Sequence, residues 1–465
     1  MSASEISERA AQGRAARKIA PRSAHAEWEP AAERRPALET VLEEEAGRVP
    51  ELLPLRHTRM LASPFTFFRG AAAVMAGDLA GTPATGARVQ LCGDAHISNF
   101  GGFASPDRRM VFDINDFDET AVGPWEWDVK RLAASVAIAG RDIGLGERRR
   151  CKAVEATVRS YREAMRNFAA MGNLEVWYAR MDADAIIAEM TRRGGSRQAK
   201  ALQKGVARAQ GKDSLRALSK LTEQNNGTLR IASRPPLLVP VEELMAGTAG
   251  EAVVQEMQKL LDRYGRSLRS DRRRLLDGYR YVHMARKVVG VGSVGTRAWV
   301  VLLAGRDGQD PLFLQVKEAG PSVLESYAGR DRARNHGQRV VQGQWLMQAA
   351  SDIFLGWLRA PGAEGEDRDF YVRQLWDWKA SPDVERMSAS DLNTYGQLCG
   401  WTLARAHARS GDRVAIAAYL GSGPGFDRAL TTFAETYADQ NEHDYAALTE
   451  AARSGKLALE EVDDG

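Results

Sequence analysis

The sequence predicts an α+β fold with two lobes, a larger helical one and a smaller one built on an antiparallel sheet. The chain has 465 residues, which is more than one hydrophobic core usually organises. Apolar residues recur at helical spacing over much of residues 37–284, whereas residues 285–380 contain apolar runs separated by glycine-rich turns. Helical spacing returns in residues 381–465.

These patterns divide the chain into four parts. Residues 1–36 are expected to form a solvated arm, because charged residues alternate with small ones and prolines interrupt the segment. Residues 37–284 are assigned to the helical lobe and residues 285–380 to the sheet lobe, and the helices of residues 381–465 return to the helical lobe. Within the helical lobe, we expect strands between residues 87 and 117 and an irregular insertion from Asn225.

The sheet lobe is expected to start with three antiparallel strands, in RKVV, TRAWVVLLAG and PLFLQVK. A long amphipathic helix should follow, with Val341, Trp345, Ala349 and Ile353 on one face. The run DFYVRQL then predicts a further strand.

Composition excludes several classes of protein. Apolar residues make up 44% and charged residues 27% of the chain, as in a folded globular protein. The net charge of +3 gives no field that would favour a nucleic-acid partner. No apolar run reaches the roughly 20 residues of a membrane span. The three cysteines are too scattered for a disulfide framework, and a cytoplasmic location is expected.

The segment GDAHISNFG places Asp94 and Asn99 directly after an apolar run. Phosphoryl transfer uses these residue types, because an aspartate can orient or deprotonate the attacking hydroxyl group while an amide oxygen binds Mg²⁺. The spacing alone is weak evidence, since both residues are common in turns. We expect Asp94 to be catalytic and Asn99 to bind metal, with His96 shaping the loop between them.

A second acidic segment, VFDINDFDETAVGPWEWD, strengthens this interpretation. Asp116 is expected to be the main Mg²⁺ ligand, because a carboxylate at the end of a strand suits a hard cation that bridges phosphates. Asp113 and Asp118 are rival ligands. Asp128 should begin the next helix and accept hydrogen bonds from the backbone of the catalytic loop, although acids are common at helix N-termini without such a role.

A glycine-rich pattern, GxGxxG, is formed by Gly290, Gly292 and Gly295 around Ser293. In a dinucleotide-binding protein this pattern opens a helix, but here the apolar run TRAWVVLL follows and predicts a strand, which argues against a dehydrogenase. A glycine-rich hairpin over nucleotide phosphates is therefore expected. Lys317, at the end of the following strand, should bind those phosphates, although such a lysine is commonly a solvated edge residue.

A kinase lysine needs an acidic partner on the adjoining helix, and this helix carries glutamines instead. Glu318 and Glu325 lie closer to Lys317 in sequence and are candidates for that partner. The strand DFYVRQL is expected to form the hinge, with the backbone of Gln374, Leu375 and the next residue pairing with the edge of adenine.

These motifs resemble known kinases. GDAHISNF and DFDETAVGPWEWD are similar to the catalytic loop and the metal-binding segment of aminoglycoside-phosphotransferase-type kinases. More closely, SPFTFFRG, CGDAHISNFG, FDINDFDE, GPWEWDVKRLAAS, LQVKEA, QAASDIFLGW and LARAHARSGD resemble a bacterial family of unknown function numbered 2252, over nearly the whole chain. That family is assigned by similarity to the protein-kinase-like superfamily, so the resemblance implies a kinase-like fold with a site for ATP and Mg²⁺ but implies no substrate.

The order of the motifs differs from that of an ordinary kinase. In a kinase the glycine loop, lysine, helix and hinge precede the catalytic loop and the metal-binding carboxylate, whereas here the last two come first. A circular permutation would restore the usual arrangement, and permuted chain ends are tolerated when they lie near one another at the surface. We therefore expect a circularly permuted, two-lobed protein-kinase-like fold.

The expected function is ATP- and Mg²⁺-dependent phosphoryl transfer to a hydroxyl-bearing acceptor, either a small molecule or a protein. The alternative is a non-catalytic nucleotide-binding scaffold of the same fold, which the missing helix glutamate suggests. A metallophosphoesterase, which GDAH also suggests, is disfavoured because the other histidines lie outside the motifs that a two-metal site needs.

Overall fold

A computed structural model describes residues 2–192, 196–225, 228–244, 250–361 and 365–460. The predicted arm, insertion, sheet lobe and C-terminal part each include residues outside these ranges, namely 1, 226–227, 362–364 and 461–465. The fold is α+β with antiparallel sheets, as predicted. None of the described helices has the length and apolarity that crossing a membrane requires.

The strands are short outside one six-stranded sheet. They are β1 Arg88–Leu91, β2 Phe100–Ala104, β3 Met110–Ile114, β4 Ala121–Pro124, β5 Met181–Asp182, β6 Thr222–Asn225, β7 Thr228–Ile231, β8 Leu238–Pro240, β9 Arg280–Lys287, β10 Ala298–Ala304, β11 Pro311–Glu318, β12 Gly356–Pro361 and β13 Asp367–Gln374. The large sheet has the order β12-β13-β11-β10-β9-β8.

The helices occur throughout the chain and make up most of the remaining structure. Before β9 they are α1 Ala3–Ala15, α2 Ala37–Glu45, α3 Leu53–Met60, α4 Pro64–Gly70, α5 Ala72–Ala80, α6 Trp125–Asp142, α7 Glu147–Ala170, α8 Asn173–Tyr178, α9 Ala183–Arg192, α10 Ser196–Gln210, α11 Ser214–Leu221, α12 Val241–Leu244, α13 Gly250–Gly265 and α14 Ser270–Leu276. After β9 they are α15 Glu325–Ala328, α16 His336–Met347, α17 Ala389–Ser410, α18 Arg413–Leu420 and α19 Gly425–Arg453.

The six-stranded sheet is buried on both faces. Along β10, Val301 and Leu303 belong to one apolar cluster, and Val300 and Leu302 belong to another on the opposite face. Because successive side chains of a strand point to opposite faces, a strand covered on both sides is apolar at nearly every position. This explains why the run AWVVLLA predicted a strand without any polar alternation.

The helical part is organised around α6, which is buried on almost every side from Trp125 to Gly140. The helices α7 and α17 pack against α6 and pack closely against each other. A Cβ atom at Gly400 of α17 would lie 2.3 Å from the backbone oxygen of Thr157 in α7, and one at Gly396 would lie 2.1 Å from Thr157 Oγ1. The two helices therefore depend on glycine at their point of contact.

Substituting Gly400 should destabilise the protein although alanine favours helices. We expect Gly400→Ala to lower the free energy of unfolding by about 1–3 kcal/mol, because the added methyl group overlaps the backbone of α7. The matched control is Gly205→Ala in α10, where nothing lies within 4 Å of the added Cβ and where alanine should stabilise by about 0.5–1 kcal/mol. Urea unfolding of both variants measures the effect, and a shared sign for the two changes would contradict the packing argument.

Lys130 lies in the helical core with an amine that makes no hydrogen bond to any described residue. The side chain is fully buried, 5.1 Å from the ring centroid of Phe433. Burial lowers the pKa of Lys130 from 10.5 to about 7, although the Glu126 carboxylate opposes the shift. The folded protein thus releases a proton near pH 7 that the unfolded chain keeps to about pH 10.5.

This difference predicts a pH-dependent stability. The free energy of unfolding should rise with pH between 7 and 10, because the unfolded chain binds the additional proton over that range. Lys130→Met removes this dependence, because methionine does not titrate. Relative to the variant, wild type should therefore gain free energy of unfolding on the order of 4 kcal/mol between pH 7 and pH 10. Urea unfolding at each pH tests this, with Lys456→Met as the exposed control. Parallel curves for wild type and Lys130→Met would refute it.

The N-terminal segment is more ordered than the predicted solvated arm. It forms α1 and two short 3-10 turns, and Arg17 Nε donates a 2.9 Å hydrogen bond to the backbone oxygen of Tyr419. Arg22 donates to the backbone oxygen of Leu420, and the buried His25 contacts Tyr419 Oη at 2.7 Å. The arginines therefore satisfy the free carbonyl groups at the C-terminus of α18, which is why a charged segment packs against the protein.

The predicted insertion is also partly regular. It contains the end of β6 and all of β7, which form a two-stranded hairpin, and β8, which pairs with β9 at the edge of the large sheet. Ile231 and Leu238 pack on the face of the sheet that Ala217 of α11 covers. These strands have only three or four residues each, too few to show an alternating pattern.

The helix α16, which corresponds to the long amphipathic helix expected from the sequence, ends earlier than predicted. It stops at Met347, so Ala349 and Ile353 lie beyond it, and Trp345 is 38% exposed. The reason is a tertiary contact, because the backbone N–H of Ala349 donates a 3.0 Å hydrogen bond to Asp113 Oδ2 and leaves the helical path.

Candidate functional site

The predicted catalytic loop lies between β1 and β2 and begins with a constrained turn. Gly93 has a φ of 85°, and a Cβ atom there would lie 2.0 Å from the backbone oxygen of Glu119, so the turn requires glycine. In the first turn of α6, Asp128 accepts hydrogen bonds from the N–H groups of Cys92 and Gly93, at 2.8 and 3.1 Å. His407 Nε2 lies 3.2 Å from the same carboxylate. These contacts fix the direction in which the loop leaves β1.

Asp94 presents one carboxylate oxygen to the cavity in front of the loop. Its Oδ1 accepts a 2.6 Å hydrogen bond from Arg131 Nε, while Oδ2 lies 3.5 Å from His96 Nε2 and accepts no hydrogen bond from the described residues at shorter range. Burial raises the pKa of Asp94, although the charge of Arg131 opposes the shift. Asn99 Nδ2 donates to the backbone oxygen of Asp94 at 2.9 Å, and Asn99 Oδ1 has no hydrogen-bond donor among the described residues.

His96 is buried beside Asp94 and is held in the neutral form. Burial lowers its pKa well below the usual value, and the charges of Arg69 and Arg131 act in the same direction. Its Nδ1 atom makes no hydrogen bond within the described part of the chain. The residue therefore shapes the loop from within the protein and leaves one nitrogen free.

Arg131 is a site residue that the sequence analysis missed. Its guanidinium is 2% exposed, donates to the backbone oxygen of Phe68 at 3.1 Å and lies 4.4 Å from the Phe68 ring centroid. It thereby connects the segment SPFTFFRG to Asp94. A signal was present, because residues three positions apart on a helix share a face and Arg131 is three positions after Asp128.

The three aspartates of FDINDFD have different environments. Asp113 is 2% exposed, forms an ion pair with Arg405 and accepts hydrogen bonds from the N–H groups of Ile114 and Ala349. Both of its oxygens are therefore occupied by structural contacts. Burial raises its pKa, and Arg405 opposes that shift.

Asp116 and Asp118 face the opening between the sheet and the helical part. Both oxygens of Asp118 are engaged, Oδ2 by Lys317 Nζ at 2.5 Å and Oδ1 by Tyr371 Oη at 2.6 Å. Asp116 Oδ1 accepts from the N–H of Asp118 at 3.1 Å, and Oδ2 has no partner among the described residues. Burial and the neighbouring charge of Asp118 raise the pKa of Asp116. Of the rival metal ligands, Asp116 keeps a free oxygen.

Lys317 lies at the end of β11 with its amine buried, and its acidic partner is Asp118. Burial opposes the charged amine, but the Asp118 carboxylate outweighs it and raises the pKa of Lys317. Burial likewise opposes the charged form of Asp118, and the lysine lowers that pKa. The amine also lies 3.4 Å from Ser293 Oγ.

The predicted glutamate partners were wrong. Glu318 forms ion pairs with Arg297 and Arg368, and Glu325 lies 3.8 Å from Arg339. For Glu318 the reason is the direction of its side chain, since a residue next to Lys317 in a strand points to the other face of the sheet. Glu325 lies outside the strand, at the start of α15.

The helix α16 contacts the site through an arginine. Arg339 is buried, and its guanidinium donates hydrogen bonds to the backbone oxygens of Thr120, Asp118 and Gly320, at 2.6, 2.8 and 2.9 Å. An arginine can reach several carbonyl groups at once because its donors form a planar fork. The helix thus holds the backbone of the acidic segment in place.

The glycine-rich segment forms a turn between β9 and β10. Gly290 and Gly295 have φ values of 68° and 88°, in the region that favours glycine. A Cβ atom at Gly292 would lie 3.0 Å from the backbone oxygen of Arg69, so the turn also sits close to α4. The N–H groups of residues 290–293 donate no hydrogen bond to any described residue.

Arginines from the N-terminal part of the chain bind the carbonyl groups of this turn. Arg48 and Arg56 each donate to the oxygen of Gly292 at 2.8 Å, and Arg59 donates to the oxygen of Gly290 at 2.7 Å. The carbonyl groups are thus occupied while the amide groups remain free. Free amide groups in a glycine turn are suited to binding an anion.

The predicted hinge is only partly available to a ligand. The N–H of Gln374 donates to Asp352, and the N–H of Leu375 donates to the oxygen of Phe313 at 2.9 Å. The oxygen of Leu375 and the N–H of Trp376 have no hydrogen-bond partner in the described residues. Of the backbone groups expected to pair with an adenine edge, these two are the ones left available.

Two adjoining cavities connect these residues. The first, of about 230 Å³, is lined by the hinge segment, Lys317 and Arg373. The second, of about 160 Å³, is lined by Asp94, His96 and Asn99. Asp116, Gly290 and Ser293 border both.

Most of the predicted site residues therefore lie together, and Asp128 supports them from behind. Among the described residues, no group of three or more His, Cys, Asp or Glu side chains is placed to hold a metal ion. A metal ion here would have to be held by Asn99 and Asp116 together with oxygens of a molecule bound in the cavity. Both residues keep an oxygen without a protein partner, so the donor set suits Mg²⁺.

The fold and the site define an α+β protein in which Asp94, Asn99, Asp116 and a glycine turn line two joined cavities. A family model described as an uncharacterized protein conserved in bacteria, DUF2252, matches residues 48–451. The chain belongs to this family. Neither the curated proteins nor the solved structures include a match.

The ion pair of Asp113 with Arg405 predicts that Asp113 has a structural role and does not bind metal. We expect Asp113→Ala to lower the free energy of unfolding by about 3–5 kcal/mol, because it leaves the buried guanidinium of Arg405 unpaired. Asp271→Ala is the control, since Asp271 is 51% exposed and its ion pairs lie at the surface, where they contribute about 0–1 kcal/mol. Urea unfolding measures both, and equal changes would show that the Asp113 pair contributes no more than a surface one.

Proposed function

We propose that this protein is an ATP- and Mg²⁺-dependent phosphotransferase with a circularly permuted protein-kinase-like fold. The observation that carries the proposal is the ion pair between Lys317 and Asp118, which are 199 positions apart in the sequence. It joins β11, the second strand after the glycine-rich turn, to the segment that holds Asp116. Phosphoryl transfer needs a phosphate-binding lysine, a glycine loop and a metal-binding carboxylate at one place.

The path of the chain supports the permutation. The strands and helix β9, β10, β11, α16, β12 and β13 follow one another in the order expected for the nucleotide-binding lobe of a kinase. The next long helix, α17, ends at Ser410, whose Oγ accepts a 3.1 Å hydrogen bond from the N–H of Gln90 in β1. In an unpermuted kinase the equivalent helix leads directly into the catalytic loop, and here its end lies beside the strand that does so.

Each residue then has a chemical role. The acceptor hydroxyl group would approach Asp94 Oδ2, which has room to orient it and accept its proton. Lys317 and the free amide groups of the glycine turn would bind the phosphates of ATP. Asn99 Oδ1 and Asp116 Oδ2 would hold Mg²⁺, which when bound neutralises charge on the transferred phosphoryl group. Arg131 positions Asp94 and keeps it from accepting a proton too readily.

A scaffold without catalysis is the alternative, and one observation favours it. The helix α16 presents Arg339 to the site and no glutamate contacts Lys317 within the described residues. In this protein, however, Asp118 already fixes the lysine, so the missing glutamate does not leave it without a partner.

Two aspartate variants separate the roles. Asp94→Asn should lower kcat at least about 100-fold while leaving ATP binding unchanged, because the amide cannot accept the proton although its oxygen can still accept the hydrogen bond of Arg131. Asp116→Asn should weaken the binding of ATP in the presence of Mg²⁺, because it removes the charged metal ligand. Calorimetry with ATP and Mg²⁺ measures binding, and release of ADP measures turnover.

The control is Asp271→Asn, which should match wild type in both measurements. Binding without turnover for any acceptor would favour the scaffold. If wild type binds no nucleotide, both the enzyme and the scaffold are wrong.

A further inference from the structure

Arg69 is a cation in the second cavity that has no partner among the described residues. It follows directly after Phe68 at the end of α4 and is half-buried. Its side chain makes no hydrogen bond or ion pair with any described residue, and its Nε atom is buried without an acceptor. Its one aromatic neighbour is the ring of Phe65, 5.9 Å away among the described residues.

Other charged groups lining the same cavity have partners. Asp94 pairs with Arg131, Asp118 with Lys317 and Glu318 with Arg368. Arg48 donates to the oxygens of the glycine turn. Glu44 lies 3.7 Å from Arg56. Arg69 is thus the unpaired cation of this cavity within the described part of the chain.

The position of Arg69 places it on the side of the cavity that holds Asp94. The residue before it accepts the hydrogen bond of Arg131, which in turn binds Asp94. Burial lowers the pKa of Arg69, and the carboxylates of Asp94 and Glu385 are the charges that oppose the shift. The guanidinium therefore lies where a molecule in contact with Asp94 would meet it.

An arginine that is partly desolvated and unpaired is suited to an anionic ligand. Its fork of donors binds carboxylate and phosphate oxygens in two parallel hydrogen bonds. The cavity of about 160 Å³ can hold part of a small molecule.

We infer that the acceptor is a small hydroxyl compound that carries a carboxylate or phosphate group. This inference rests on the proposed phosphotransferase function. Arg69 binds that anionic group, and the hydroxyl group meets Asp94 Oδ2. The acceptor oxygen forms a bond to the γ-phosphorus of ATP as the bond from that phosphorus to the β–γ bridging oxygen breaks. The hydroxyl proton passes to Asp94 and then to water, and ADP leaves with the former bridging oxygen.

The test is a panel of acceptors with ATP and Mg²⁺, read by mass spectrometry for phosphorylated products. The panel contains hydroxy acids and polyol phosphates, such as D-glycerate and glycerol 3-phosphate, and neutral and cationic counterparts, glycerol and ethanolamine. We expect the anionic members to be phosphorylated. The two anionic groups separate a carboxylate site from a phosphate site.

Variants of Arg69 connect the preference to the residue. Arg69→Gln should raise the KM for the anionic acceptor about 10-fold or more without changing the KM for ATP, and Arg69→Lys should recover part of the loss. Arg166→Gln, on the exposed face of α7, is the matched control.

Three results would overturn the inference. They are transfer to neutral or cationic members alone, no transfer to any member by a protein that binds ATP, and an equal rise in both KM values for Arg69→Gln. The second result leaves nucleotide binding standing. A protein that binds no ATP fails the proposed function itself, and the inference with it.

Discussion

The ion pair of Lys317 with Asp118 joins the large sheet to the helical part of the protein. The lysine side chain is 3% exposed, so neither charge can be left alone without a large loss of stability. Hydrogen bonds from Tyr371 to the carboxylate and from Arg339 to the neighbouring backbone complete the contact. Asp116 lies two residues before Asp118, and Ser293 of the glycine turn lies 3.4 Å from the Lys317 amine, so the pair holds the two sides of the cavities together.

The sequence predicted the parts of the fold that local patterns determine. The strands β10, β11 and β13 were found because their apolar runs are long and end in turn residues. Only the end of β9 was found, since a strand was expected from Arg286 whereas β9 begins at Arg280, in a stretch assigned to the helical lobe. The grouping of Asp94, Asn99, Asp116 and Lys317 came from motifs and resemblance, and the residues do line two joined cavities. The hairpin of β6 and β7 was not found, since strands of four residues show too little pattern.

The partner of Lys317 could not be found in the same way. It lies 199 positions away and was considered only as a metal ligand, because no local spacing connects the two residues. Arg131 was missed for a related reason. Arginine is usually solvated, so its spacing from Asp128 indicates a shared helix face but not that Arg131 is 2% exposed and holds a carboxylate.

The arginines that bind the carbonyl groups of the glycine turn affect how a ligand would be bound. Glycine-rich turns usually lose much conformational entropy when a ligand orders them. Here Arg48, Arg56 and Arg59 restrain the turn during folding, so that loss belongs to the stability of the protein and not to the affinity for the ligand. A preorganised turn of this kind favours fast recognition of a rigid anionic group over adaptation to ligands of different shapes.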